Sequence, residues 1–247
     1  MPRSLTKLLQ RAHLGGIVQE SVLVEDNGFA YIQAVDLTNS LYLDVGAPTA
    51  LTNLGTLGLS NMGVLTKFLD THKDNPDLKV TRANNRLVII AGARGRMKYL
   101  LAEPEAIPTV VSDPDAMPRL VQRCTHTVGI TLEQARDVQS LVNTIKPAAV
   151  GFTVSTEGDV LLTGGLVSEH QFEFQLGRST GATGRAYTTS VYANHLLAVL
   201  NVLDWSPDPV PEGWPGPQLL SASGMPLFVR QDDDNLWALN PVQVVGG

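Results

Sequence analysis

Residues 221–242 read SASGMPLFVRQDDDNLWALNPV, with three adjacent aspartates held between two apolar runs. Each run has the length of a strand, and the aspartates have the polar, turn-forming character of a hairpin tip. Residues 78–101 have a similar form. There DLKVT and RLVIIAG flank Asn84-Asn85, and asparagine tolerates the positive φ that a tight hairpin requires. On this reading Asp232, Asp233 and Asp234 stand where Asn84 and Asn85 stand, and the closing passage is the second copy of an earlier one.

Working outward, the rest of the chain follows the same duplication. In SLTKLLQRAH, Ser4 is a candidate N-cap, and Leu5, Leu8, Leu9 and Ala12 recur at helical spacing. ESVLVEDNGFAYIQAV alternates apolar and polar residues around Asp26-Asn27-Gly28, predicting a hairpin, and SLYLDVG predicts a third strand. SNMGVLTKFLDTHK is helical through Met62, Leu65, Phe68 and Leu69, and GRMKYLLAE is a further strand. Residues 103–127, EPEAIPTVVSDPDAMPRLVQRCTHT, have no clean period and carry Pro104, Pro108, Pro114 and Pro118, which predicts an extended connector. The pattern then restarts. Thr131 with Gln134 fits a capping box, and Leu132, Ala135, Val138, Leu141, Val142 and Ile145 mark one helix face. A hairpin through Glu157-Gly158-Asp159, an alternating strand HQFEFQLG, a helix over TTSVYANHLLAVLNVL and closing strands complete the second half. The expected fold is α+β, with a domain over 1–102, a connector over 103–127 and a similar domain over 128–247; each domain packs two helices on antiparallel sheet.

Composition bounds the function. Of the 247 residues, 43% are hydrophobic, enough for a real core, and the net charge of -6 argues against indiscriminate nucleic-acid binding while leaving room for local basic patches. The single cysteine, Cys124, excludes an intrachain disulfide and a thiolate metal cage, and points to a reducing interior. The opening MPRSLTKLLQRAH has no long apolar segment of a secretory leader, and no apolar run approaches the roughly 20 residues needed to span a bilayer. The expectation is a soluble, cytoplasmic protein.

Other constellations are weak. The glycine-rich segment 177–190, GRSTGATGRAYTTS, lacks the lysine of a P-loop and reads as a surface loop. The five histidines show no metal-binding spacing, and Cys124 and His126 are close in sequence but lie in the connector. Trp205 and Trp214, among the prolines of DWSPDPVPEGWPGP, suit a spacer packed onto its domain.

The whole pattern resembles the DNA polymerase sliding clamps, in particular the three-subunit type of tailed bacteriophages and the eukaryotic proliferating cell nuclear antigen. LTKLLQRAHLGGIVQESVLVEDNGFAYIQAVDLTNSLYLDV follows the phage opening of helix, short GGI step, hairpin and third strand. LGLSNMGVLTKFLD resembles the family's strand running straight into the second helix, and GMPLFVRQDDDNLWALNPV its closing hairpin. The resemblance implies a ring-forming homotrimer, not an enzyme and without a cofactor, that encircles duplex DNA without regard to sequence, is opened by an ATP-dependent loader and tethers a replicative polymerase; it acts in the host cytoplasm if viral. It implies a DNA-facing set of Arg3, Lys7, Arg11, Lys67, Lys73, Arg136 and Lys146 on or beside the helices. It also implies a socket for partner peptides at Leu120, Val121, Pro226, Leu227, Leu239 and Pro241. Ring closure would pair exposed strands, with GRMKYLLAE (Arg94, Arg96, Lys98) and HQFEFQLG (Glu169, Glu173) as candidates of opposite charge.

The chain departs from the family in charge. The fourth predicted helix, Thr189 to Leu203, has no Lys or Arg, and Arg136 is flanked by Glu133 and Asp137. Two other readings stand beside the clamp. One is a phage or bacterial oligomeric structural β-protein that does not bind DNA. The other is a metal-dependent hydrolase using Asp232 to Asp234.

Overall fold

The computed structural model describes residues 2–49, 54–108, 113, 115–165, 170–181, 184–206 and 214–242. The chain divides into two compact units, Met1–Thr38 with Leu43–Ser112, and Asn39–Tyr42 with Asp113–Gly247.

The first unit opens with α1 (Pro2–His13). The helix begins two residues ahead of the expected cap, so Ser4 lies within its first turn. Proline suits this position because its fixed φ is already helical and its missing N–H has no intrahelical acceptor there. Leu5, Leu8, Leu9 and Ala12 are buried, as their spacing predicts. β1 (Ser21–Asp26) and β2 (Phe29–Val35) form a hairpin. Its turn residues Asn27 (φ 50°) and Gly28 (φ 82°) both take the left-handed conformation that matches the strand twist. β3 (Leu41–Pro48) and β4 (Thr56–Leu59) extend the hairpin to the four-strand run β3-β2-β1-β4 of a larger sheet, and β4 leads directly into α2 (Met62–Thr71). β5 (Leu78–Ala83), β6 (Arg86–Ala91) and β7 (Arg96–Leu100) form a second sheet in that order. Asn84, at φ 53°, turns the β5–β6 hairpin as expected.

The second unit begins with α3 (Ala116–Val121), so the stretch expected to be extended is partly helical. Pro118 is tolerated because it sits in the first turn, where no backbone donor is required. β8 (His126–Gly129) precedes α4 (Leu132–Ile145). The capping box forms: Gln134 N–H donates to Thr131 Oγ1 at 3.2 Å, and Thr131 N–H donates to Gln134 Oε1 at 2.9 Å. β9 (Ala149–Val154), β10 (Asp159–Gly165), β11 (Gln171–Arg178), β12 (Thr180–Gly181) and β13 (Tyr187–Tyr192) follow. Then come α5 (Ala193–Val202), β14 (Gln218–Ser221), β15 (Leu227–Asp232) and β16 (Asn235–Leu239). The last long helix starts at Ala193, not at Thr189. Thr188, Thr189 and Val191 are β-branched and pair with β9 instead. The glycine-rich segment accordingly leads into a strand.

One sheet of this unit runs β11-β10-β9-β13, which reproduces β3-β2-β1-β4 strand for strand. The unit's remaining strands are paired in the order β12-β8-β14-β15-β16, as part of the larger sheet. By this order β14, β15 and β16 correspond to β5, β6 and β7. The aspartate tip between β15 and β16 therefore corresponds to the β6–β7 connection. The counterpart of Asn84-Asn85 is the turn between β14 and β15, so the sequence alignment of the two hairpins was one strand out of step. The repeat extends to the helix pairs. Gln10 Nε2 donates to Asp70 Oδ1 at 3.1 Å between α1 and α2, and Gln139 Nε2 donates to Asn201 Oδ1 at 2.9 Å between α4 and α5. Asp70 and Asn201 occupy the same step of two helices of equal length, 10 residues each. Among the described residues no helix is long and apolar enough to cross a membrane.

Two positions test the first unit's packing. Ala102 N–H donates to Gly58 O at 2.9 Å, and a Cβ at Gly58 would run into the Ala102 carbonyl. Gly58→Ala should cost about 1–3 kcal/mol, the usual range for overpacking, read from urea unfolding. On β3, burial raises the Asp44 pKa, while the hydrogen bond from Gln33 Nε2 (2.9 Å) opposes the rise. A raised carboxyl pKa stabilises the fold below the unfolded-state value, and that contribution is lost as pH rises through the folded-state value. Asp44→Asn should therefore raise the melting temperature at pH 7, with the gain fading below about pH 4, near the unperturbed Asp pKa.

Candidate DNA-facing and partner-binding surfaces

The basic residues assigned to DNA fall into several groups. Arg3 is in the first turn of α1, and its side chain lies outside the described part of the structure. Lys7 is exposed on α1, but Arg11 one turn later is only 9% exposed, between buried Leu8 and Ala12. The i, i+4 spacing puts the two on one side of the helix, but that side turns inward toward the helix C-terminus. Arg11 is thus removed from a solvent-facing set. Lys67 is exposed on α2. Lys73 forms a half-exposed ion pair with Asp70 at 3.0 Å. Arg136 and Lys146 are exposed on α4 and at its end. On α5 the exposed residues Asn194 and Asn201 are neutral, and His195 is buried, 3.4 Å from Ser40 Oγ.

The two candidate pairing strands are both at the ends of their sheets. Among the described residues β7 follows β6 with no strand beyond it, and β11 likewise flanks β10. β7 exposes Arg96 and Lys98, and β11 exposes Gln171, Glu173 and Gln175. The side chain of Arg94 and all of Glu169 lie outside the described residues. β7 is fixed by Tyr99, whose hydroxyl donates to Ser60 O and whose phenol is pushed up to about 12 by burial.

The socket residues divide in the same way. Leu227 and Leu239 face each other across β15 and β16 and are 0% exposed. They belong to the core and do not line an open socket. Leu120 and Val121 on α3 and Pro226 are half-buried, and Pro241 is exposed. Nearby, the spacer after α5 is pinned at both ends by buried Gln231 on β15. Gln231 Oε1 accepts from Asp204 N–H at 2.7 Å, and its backbone carbonyl accepts from Trp214 Nε1 at 3.0 Å. Trp214 packs onto its unit, as its sequence context suggested; residues 207–213 lie outside the described residues.

The aspartates close a turn. Asp232 Oδ1 accepts from Asp234 N–H at 3.0 Å and from Asn235 Nδ2 at 2.7 Å. Among the described residues no group of three His, Cys, Asp or Glu side chains is arranged to hold a metal ion. His126 Nδ1 lies 3.1 Å from Ser179 Oγ, and the Cys124 thiol points to Leu120 O, so the two make no dyad.

One surface escaped the sequence reading. The register of β5, β6 and β7 puts Lys79, Arg86, Arg96 and Lys98 on one face of the sheet, with Val88, Ile90 and Leu100 between them. The alternation of charge within each strand was visible in the sequence, but the three strands could be combined only once their pairing was known.

No family model matches the chain, and no curated protein matches it in sequence. Among solved structures it is similar to DNA sliding clamps over nearly its whole length. The PCNA of Thermococcus kodakaraensis is 12% identical at a TM-score of 0.69, covering 98% of this chain and 97% of that one. A. fulgidus PCNA, solved bound to the C-terminal region of FEN-1, is 16% identical at 0.69, with 97% and 96% covered. The DNA polymerase sliding clamp of Pseudomonas aeruginosa is 12% identical at 0.70, with 98% of this chain and 65% of that one covered. The fold is therefore that of the DNA sliding clamps.

Burial pushes the Cys124 thiol up to about 11, against the opposing pull of Arg230. Iodoacetamide at pH 8 should modify it roughly a hundredfold more slowly than an unperturbed thiol, because only the thiolate reacts. A rate near that of free cysteine, followed by mass spectrometry, would contradict this placement.

Proposed function

We propose that the protein is a sliding clamp of the tailed-bacteriophage type. It is a homotrimer that closes around duplex DNA after loading by an ATP-driven partner and keeps a replicative polymerase on its template. It works by enclosure and catalyses no reaction. The observation that carries this reading is the repeated module, α1-β1-β2-β3-β4-α2 against α4-β9-β10-β11-β13-α5, in the clamp fold. The exposed strands at β7 and β11 support ring closure, since cationic Arg96 and Lys98 on one suit Glu173 on the other in a head-to-tail contact.

Retention by topology does not require tight binding. Each phosphate contact adds affinity and salt dependence, and every fixed contact must also break for the ring to move. A sparse exposed set of Lys7, Lys67, Arg136 and Lys146, with Arg3 beside it, is compatible with sliding. For partner peptides, the A. fulgidus protein carries a bound C-terminal region of FEN-1, which supports a similar role here. The residues with surface to offer are Leu120, Val121, Pro226 and Pro241, while Leu227 and Leu239 lie in the core.

The absence of Lys and Arg from α5 favours a second reading, an oligomeric structural β-protein that does not bind DNA. Light scattering should give three subunits per particle. With the cognate loader and ATP on a primed circular template, the clamp should lengthen polymerase products. Lys7→Glu with Lys67→Glu should shorten them several-fold at moderate salt while leaving the particle trimeric. Trimers with no effect on synthesis would support the second reading.

A further inference from the structure

We propose that the open face of the β5–β6–β7 sheet docks an acidic peptide segment whose carboxylates alternate with apolar side chains. The inference goes beyond ring formation: Arg96 and Lys98 stand on the β7 edge strand as well, but Lys79 on β5 and Arg86 on β6 belong to the face alone. Lys79, Arg86, Arg96 and Lys98 are exposed there, no side chain ion pair or hydrogen bond engages them among the described residues, and the three strands place no carboxylate on that face. In a chain of net charge -6 this is a concentrated exception. Ordinary solvated faces mix both signs, whereas a face of one sign is suited to an oppositely charged partner.

The apolar residues indicate which kind of polyanion fits. Ile90 lies across from Lys79 on one side and Arg96 on the other, and Leu100 lies across from Arg86. Ile90 is 36% and Leu100 56% exposed. Cations and aliphatic side chains thus alternate across the sheet, with neighbouring strands about 4.8 Å apart. An extended peptide with alternating Glu or Asp and apolar residues meets both kinds of site. Nucleic acid meets only the cations, because the face has no aromatic ring on which a base would stack. The second unit gives the contrast. Its corresponding strands are buried on both faces, by Leu219, Val229 and Trp237 on one and Leu220, Phe228 and Ala238 on the other. The first unit's face is exposed and charged where the second unit's strands are buried.

The test uses the full chain and a fluorescein-labelled ten-residue peptide of alternating glutamate and leucine, read by anisotropy at low salt. The expected result is saturable binding that weakens at least tenfold in Lys79→Glu with Arg86→Glu, positions on β5 and β6 and outside the β7 edge strand, and several-fold in Ile90→Ser. Lys79→Gln with Arg86→Gln serves if the reversed pair folds poorly. The proposal is overturned if binding is absent, if it survives both double variants, or if a lysine–leucine peptide binds equally well. It is overturned in favour of nucleic acid if labelled oligo-dT binds and loses affinity in the same variants while the glutamate–leucine peptide does not bind. A trimer count unchanged in these variants separates this result from any failure of ring closure.

Discussion

Everything in this molecule depends on covering the apolar side of four antiparallel strands with two helices, and on doing so twice. The alternating burial along β1 and β2 leaves Leu23, Ile32 and Ala34 to be removed from water, and α1 supplies Leu5, Leu8, Leu9 and Ala12 while α2 supplies Met62, Leu65 and Leu69. In the second unit Phe152, Val154 and Leu162 are buried along with Ala135, Val138 and Val142 of α4 and Leu196, Val199 and Leu200 of α5. Once these residues are committed to the core, the remaining helix positions are free to be polar, and any function of the outer helix surface must be written in those few positions.

The repeated hydrogen bond between paired helices shows how the duplication has been maintained with little shared sequence. Gln10 meets a carboxylate in Asp70, whereas Gln139 meets an amide in Asn201. Both acceptors present an oxygen at the same height on the second helix, and the geometry of the pair needs no more than that. Letter-by-letter identity is therefore a poor measure of the relation between the halves, and strand order is a better one.

Much of this was legible in the sequence. Periodicity marked both long amphipathic helices, Asn27-Gly28 and Asn84 marked their hairpins, and Thr131 with Gln134 marked a helix start, because each of these signals is local. The errors arose where the deciding interaction was distant. Thr188 to Val191 joined a helix on paper because only pairing with β9 identifies them as strand. Arg11 looked exposed from its spacing, but tertiary packing covers it. Leu227 and Leu239 matched a partner-binding position by analogy, yet their cross-strand pairing encloses both. The basic sheet face was hidden for the same reason, since Lys79, Arg86 and Arg96 become neighbours only through strand register.

Gln231 draws Asp204 and Trp214 to a single residue, so the intervening chain begins and ends at nearly the same point. With both anchors on one residue, each doubling of the length between them adds only about 0.6 kcal/mol of closure entropy. This gives the protein a site where new sequence, such as a fluorophore tag or a grafted recognition loop, can be inserted with little effect on the unit that carries it.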